Sequence, residues 1–96
     1  MLVVGAGVIG MEVASTASAL GVAVTVLDVS EQIMRRCLPP VVSQWLATEH
    51  QRAGIELRSQ VGVQAIVHAH GVYRVQVCGA DLSADALAVA RLNVDR

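Results

Sequence analysis

The first half of the chain alternates between continuous apolar runs and a segment with helical periodicity. Apolar runs occupy residues 1–5 and 22–27, and the second is rich in β-branched side chains. Such runs are typical of parallel strands that are buried on both faces. Between them, apolar side chains recur at helical spacing at Val13, Ala14, Ala17 and Leu20. The pattern predicts a strand, a helix that ends at Gly21, and a second strand beside the first.

A second helix is predicted after a polar connection. Pro39 and Pro40 close this connection, and proline is favourable in the first helical turn because its missing N–H is not needed there. The helix should run from residue 40 or 41 to Arg52, with Trp45 as a packing residue. Residues 55–58 then alternate in polarity, as expected for a third strand with one more exposed face.

The polarity pattern changes after the third strand. Residues 60–68 and 72–77 both alternate and are joined by a short segment that contains glycine, which predicts an antiparallel hairpin. Residues 78–81 are predicted to form a second turn, and 84–90 a final apolar strand. The fold class predicted is therefore α/β: a Rossmann-like βαβαβ unit with a parallel sheet, then an antiparallel β-meander and a returning strand.

Length and composition narrow the classes of protein. The chain has 96 residues, of which 54% are hydrophobic, so we expect a single small domain over residues 1–96 that belongs to a larger protein. The net charge of -1 gives no support to nucleic-acid binding. The apolar runs are broken and no signal peptide is evident, which favours a cytoplasmic location without membrane insertion. Cys37 and Cys78 are too far apart in sequence to suggest a metal or redox pair.

Three glycines lie between the first strand and the first helix. Gly5, Gly7 and Gly10 form the pattern G-x-G-x-x-G, which in this setting is a dinucleotide-binding fingerprint. The first permits the turn, the second lets a pyrophosphate approach the backbone, and the third lets the helix lie close to the strands. Val8 and Ile9, between them, would line the path of the ligand, although core packing explains them equally well. The helix N-terminus offers free N–H groups to the phosphates.

An acid follows the second strand at the spacing that such a unit needs. Asp28 can accept hydrogen bonds from the hydroxyls of the adenosine ribose and would repel a 2′-phosphate, which favours NADH over NADPH. The alternative is that it is only a turn residue. Arg35 and Arg36 leave NADPH as a second possible ligand, because an arginine could pair with that phosphate. Arg36 could equally stack on the adenine or remain solvated.

The residues around the glycine pattern resemble a known family. Residues 3–14 are similar to the NADH-binding domain of flavin-dependent pyridine nucleotide oxidoreductases, and most similar to its ferredoxin, putidaredoxin and rubredoxin reductase branch. The segment 33–40, His50, and the stretch 79–89 also resemble that branch. The likeness covers nearly all of the chain. Its more selective part is the isoleucine-glycine-x-glutamate extension at residues 9–12, together with the segment around Arg36.

The resemblance implies a function and its partners. In the family an FAD domain flanks the NADH domain and a C-terminal domain completes the enzyme; NADH passes a hydride to FAD, and electrons then go to an iron–sulfur protein. The glutamate that matches Glu12 lies beside the nicotinamide and orients its carboxamide. Glu12 is also expected in the first helical turn, where the helix dipole favours a carboxylate without any function. A domain separated from such partners would expose apolar surface and could self-associate.

The chain departs from the family after its final strand. Ala90 and Leu92 stand where the family has a second pair of glycines, and their side chains could crowd the cofactor. Two alternatives to a reductase domain therefore stay open: a stand-alone module that senses NAD(P), and a structural remnant that binds no nucleotide. The fragment alone is not expected to turn over, and the sequence identifies no catalytic residue.

Overall fold

A computed structural model describes residues 1–30, 33–34, 38–77 and 80–89. It contains two helices and seven strands among these residues. Their bounds, in chain order, are β1 Leu2–Val4, α1 Val8–Ala19, β2 Thr25–Leu27, α2 Pro40–Arg52, β3 Glu56–Arg58, β4 Val63–Ala69, β5 Val72–Val77, β6 Ala80–Ala84 and β7 Leu87–Val89. The predicted βαβαβ order followed by a meander and a returning strand is confirmed.

Four strands form a parallel sheet in the order β3-β2-β1-β7. β1 is central, with Val3 paired to Val26 of β2 on one side and to Ala88 of β7 on the other. The returning strand therefore joins the first sheet and not the meander. Parallel pairing of β1 with β2 requires α1 to cross over one face of the sheet.

Both helices cover one face of the parallel sheet. The core between these layers is built from small and medium apolar side chains, namely Val3, Ala6, Met11, Ala14, Val24, Val26, Ile33 and Ile55. Ala14 of α1 is fully buried, and its small side chain lets the helix axis lie close to the strands. This agrees with the predicted inner face of α1, except that Leu20 is 78% exposed.

The opposite face of the parallel sheet packs against the meander. β4, β5 and β6 form a separate antiparallel sheet in that order. Leu2 and Leu27 from the parallel sheet meet Val75 and Val77 from β5 in a second buried cluster. The described residues thus form three layers: helices, parallel sheet and antiparallel sheet.

The two helices end in the same way, which explains why the strands after them start late. At the end of α1, Gly21 has a φ of 87° and the Val22 N–H donates to the Ala17 carbonyl at 3.0 Å. This is a Schellman motif, in which the residue after the glycine caps the helix. Val22 is thus used as a helix cap, and the predicted strand at 22–27 is reduced to Thr25–Leu27.

The end of α2 repeats this geometry. Gly54 has a φ of 93° and the Ile55 N–H donates to the His50 carbonyl at 3.1 Å. Ile55 is thereby used as a helix cap, and β3 begins one residue after the predicted start. His50 also links the two helices, because its Nε2 lies 2.9 Å from the Ser15 hydroxyl while its Nδ1 donates to the Leu46 carbonyl at 2.8 Å.

The end of the chain differs more from the prediction. Residues 80–84 form β6, which pairs antiparallel with β5, where we expected a turn and the start of the final strand. The final strand is only Leu87–Val89. Trp45 was expected to pack in the core, yet it is 62% exposed on α2.

Side chains also join β2 to β3 at the surface. Thr25 Oγ1 donates to Glu56 at 3.2 Å, and Arg58 Nε donates to the same carboxylate at 2.7 Å. The hydrogen bond from Arg58 is the main reason that the pKa of Glu56 lies below its usual value. Desolvation raises this pKa, and the hydrogen bond from Thr25 lowers it further.

The described part of the chain contains no helix long and apolar enough to cross a membrane.

Candidate nucleotide-binding site

The turn between β1 and α1 is held by a backbone bond to the neighbouring strand. Gly5 has a φ of 108°, a conformation that side chains with a Cβ rarely adopt. Its N–H donates to the Leu27 carbonyl at 2.7 Å. The fold itself therefore requires glycine at position 5, as the sequence predicted for a sharp turn out of the strand.

Gly7 is a different case, because the fold does not require glycine there. It is the N-cap of α1, with a φ of -81° and a ψ of -168°, which any residue can adopt. It is exposed, and a Cβ built on it would meet no other atom within 4 Å. Neither backbone strain nor internal packing accounts for this glycine. Close approach of a group from outside the chain would account for it.

The first turn of α1 presents backbone donors next to Gly7. The first intrahelical bond runs from the Met11 N–H to the Gly7 carbonyl at 3.0 Å. The N–H groups of Val8, Ile9 and Gly10 therefore have no acceptor within the helix. No side chain caps this end among the described residues. Gly10 is buried, as expected for the glycine that brings the helix close to the sheet.

Asp28 lies immediately after β2, beside the glycine turn. Its N–H donates to the Arg58 carbonyl at 3.0 Å, and its own carbonyl accepts from the Val61 N–H at 2.8 Å. These bonds fix its backbone at the carboxyl end of the sheet. Since Leu27, the preceding residue, accepts the hydrogen bond from Gly5, the structure brings the predicted acid and the predicted turn together.

A cleft of about 470 Å³ opens between α2 and the carboxyl ends of β2 and β3. Ala6, in the glycine turn, and Asp28 both line it. Its other lining residues are Val26, Ile33, Pro40, Val41, Ser43, Gln44, Ala47, Gln51, Leu57, Arg58 and Ser59. The volume is within the range of pockets that hold small ligands. A crevice at the carboxyl end of a parallel sheet is where such folds bind nucleotides.

Comparison with known proteins identifies the family. The family model described as pyridine nucleotide-disulphide oxidoreductase matches residues 1–91. The chain belongs to the pyridine nucleotide-disulphide oxidoreductase family. This confirms the resemblance found in the sequence and the fold class predicted from it.

Two curated relatives are named as reductases. The chain is 45% identical over 56 residues to the 3-phenylpropionate/cinnamic acid dioxygenase ferredoxin–NAD(+) reductase component of Photorhabdus laumondii, a match that covers 58% of this chain and 14% of that protein. It is 39% identical over 71 residues to rhodocoxin reductase of Rhodococcus erythropolis, covering 74% of this chain and 17% of the relative. The matched part is therefore a small fraction of either relative.

Solved structures agree with the fold. A ferredoxin reductase from Rhodopseudomonas palustris matches with a TM-score of 0.85 and 32% identity, over 92% of this chain and 22% of that one. A water-forming NADH oxidase from Lactobacillus brevis, solved with NADH, has a TM-score of 0.82 at 23% identity, over 92% of this chain and 19% of the oxidase.

Other site residues predicted for this member of the family lie at the surface or outside the described residues. Val8 and Ile9 are 49% and 46% exposed, so the alternative that they pack in the core is wrong. Glu12 is exposed in the second turn of α1; its expected place in the first turn is wrong, and the first turn holds no acidic residue. Arg36, together with Arg35, lies outside the described residues.

Ala90 and Leu92, which distinguish this chain from the family pattern, also lie outside the described residues. Within the described part of the chain, no group of three or more His, Cys, Asp and Glu side chains is placed to hold a metal ion. Of the candidate site residues named from the sequence, the structure thus describes those of the glycine turn with Val8 and Ile9, Glu12 and Asp28, but not Arg36.

Sequence reasoning missed the wall of the cleft that α2 provides. Ser43, Ala47 and Gln51 recur every four residues and line the cleft together. Ser43 is only 1% exposed, and among the described residues its hydroxyl has no hydrogen-bond partner. A stripe of small and polar residues at helical spacing, on a face that otherwise packs in the core, was the signal in the sequence.

The contrast between the two turn glycines is testable through stability. Gly7→Ser should leave the free energy of unfolding unchanged or raise it by a few tenths of a kcal/mol, because the added Cβ meets nothing and serine is a better N-cap than glycine. Gly5→Ser should lower it by roughly 1 kcal/mol or more, because of the positive φ. Denaturant unfolding measures both; similar losses in the two variants would contradict this account of Gly7.

Proposed function

We propose that this chain is the NADH-binding domain of a flavin-dependent reductase that delivers electrons to an iron–sulfur protein. The observation that carries the proposal is Gly7, an exposed glycine at a helix N-terminus that neither backbone strain nor packing requires. Membership in the pyridine nucleotide-disulphide oxidoreductase family supports the same function. A stand-alone sensing module and a non-binding remnant are the alternatives.

The pyrophosphate of NADH would bind at the N-terminus of α1. Its oxygens would accept hydrogen bonds from the N–H groups of Val8, Ile9 and Gly10, where the helix dipole also favours negative charge. With only a hydrogen on the Gly7 Cα, the phosphates can approach the backbone. The exposed side chains of Val8 and Ile9 would then border the bound dinucleotide.

Asp28 would recognise the adenosine ribose. A carboxylate at this strand end accepts hydrogen bonds from the two ribose hydroxyls and repels a 2′-phosphate. The water-forming oxidase of Lactobacillus brevis is bound to NADH, whereas its engineered NADPH-bound variant has an aspartate replaced by alanine and two arginines introduced. We propose the same charge relation for Asp28, in which the carboxylate favours NADH by repelling a 2′-phosphate.

Glu12 would orient the nicotinamide. It lies five residues beyond Gly7, which is about 7.5 Å along the helix axis, so it can contact a group one nucleotide unit away from the pyrophosphate. A hydrogen bond from the nicotinamide carboxamide to this carboxylate would align the ring for hydride transfer, a step that depends on geometry more than on proton chemistry. FAD, when bound by the parent protein, supplies the hydride acceptor.

The remaining partners belong to the parent protein. Both curated relatives are named as reductases, one of them a ferredoxin–NAD(+) reductase component. We propose that FAD is held by another domain of the same parent chain, that the electron acceptor is a ferredoxin-like iron–sulfur protein, and that the protein is cytoplasmic. This domain alone would bind NADH without turnover.

Removal of the Asp28 carboxylate should narrow the preference for NADH over NADPH. Asp28→Ala is expected to weaken NADH binding by about 10- to 100-fold, from the loss of hydrogen bonds to a charged acceptor. The binding of NADPH should weaken less, because the repulsion of its 2′-phosphate is also removed. Isothermal titration calorimetry with both nucleotides measures the ratio of the two dissociation constants.

Asp81→Ala is the matched control, because it removes the same charge from an exposed position on β6. It should leave both affinities unchanged. If Asp28→Ala keeps the wild-type ratio, Asp28 does not contact the ribose. If the wild-type chain binds neither nucleotide at millimolar concentration, the proposed function fails and the remnant is favoured.

The role of Glu12 can be separated from that of the pyrophosphate site with ADP-ribose, which lacks the nicotinamide. Glu12→Ala should weaken the binding of NADH by about tenfold, the value of one hydrogen bond to a charged group, and leave the binding of ADP-ribose unchanged. Gly7→Val, in contrast, should weaken both ligands. Equal losses of the two ligands in Glu12→Ala would show that Glu12 does not contact the nicotinamide.

A further inference from the structure

The antiparallel sheet has two edges of different character. β6 forms one edge and carries the charged residue Asp81. β4 forms the other edge of the described sheet and is the longest strand, with seven residues and no charge or proline. Proteins usually protect such edges with charge, proline or a short strand, because unpaired N–H and C=O groups there can pair with another chain.

The outer face of this sheet is most apolar along β4. Val75 and Val77 are buried toward the parallel sheet, so residues paired with the positions between them face outward. On β5 and β6 the outward face is mostly polar, with Arg74, Gln76, Asp81 and Ser83; the apolar exception is Val72, at the start of β5. On β4 it consists of Ala65, Val67 and Ala69. The apolar surface is thus a strip along the edge, which suits a strand added beside β4 better than a layer packed on the sheet.

We propose that β4 pairs antiparallel with β4 of a second copy of this chain, which joins two three-stranded sheets into one of six strands. With the twofold axis at Val67, Ala65 of one copy lies opposite Ala69 of the other, and Ile66 lies opposite His68. Every pair on the outer face is then apolar, and no like charges meet within the paired strands. A twofold, isologous contact of this kind closes at the dimer.

The length of the pairing limits its strength. The ladder with β5 is irregular between Val63 and Ala65, so the regular part of the edge is residues 65–69. Five residues on each side are far fewer than the roughly 20–30 on each side of a stable complex. The dimer should therefore be concentration dependent, with dissociation in the micromolar to millimolar range.

Sedimentation equilibrium across that concentration range tests the proposal. Wild type should change from monomer to dimer, and Val67→Lys should weaken dimerisation by at least about tenfold, because the twofold axis places two lysines opposite each other. Val67 is 55% exposed, so the variant should fold as the wild type does. Gln76→Lys, which adds the same charge to the same face on the central strand, should dimerise as the wild type does.

A cross-link tests the register. Val67→Cys should form a symmetric disulfide between copies under mild oxidation, identified by peptide mass mapping, while Gln76→Cys should not. A wild-type chain that stays monomeric at millimolar concentration would overturn the proposal and leave the edge to another segment or protein. Equal losses of dimer affinity in Val67→Lys and Gln76→Lys would overturn it as well. A dimer of the Val67→Cys variant that forms no disulfide between copies would also overturn it.

Discussion

The hydrogen bond from the Gly5 N–H to the Leu27 carbonyl joins the two parts of the site. It extends the pairing of β1 with β2 by one residue beyond the strand, to Gly5, where the chain turns at a positive φ. Because β1 and β2 end at the same edge of the sheet, the residue after Leu27 lies next to the glycine turn. The relation between the helix N-terminus and Asp28 is thus a consequence of strand register.

The two glycines at the turn show the difference between a requirement of the fold and one of function. At Gly5 the backbone demands glycine. At Gly7 the isolated fold would be served as well by serine, which would add a side-chain cap to α1. Glycine at position 7 therefore makes the protein no more stable than serine would, although the total stability of a folded protein is small. We infer that glycine is present because it gives a ligand access to the backbone.

Much of this arrangement was predictable from the sequence, because it depends on local patterns. The G-x-G-x-x-G spacing, the β-branched run before Asp28 and the proline at the start of α2 were sufficient to place β1, α1, β2 and α2. The errors came from residues with two possible uses. Val22 and Ile55 fit a strand by composition, but the Schellman motifs at Gly21 and Gly54 use them to cap helices. Asp81 fits a turn, yet it faces outward on β6.

The cleft wall had only a weak signal in the sequence and the exposure of Trp45 had none, since both depend on what lies across from a helix face. Trp45 is of a residue type common in protein cores, and only the tertiary structure shows that it lies at the surface of α2.

The most direct test of the proposed nucleotide site is an amide NMR titration of the isotopically labelled chain with NADH. The largest chemical-shift changes should occur at Val8, Ile9, Gly10 and Asp28. Shifts confined to other parts of the chain, or none at millimolar NADH, would contradict it.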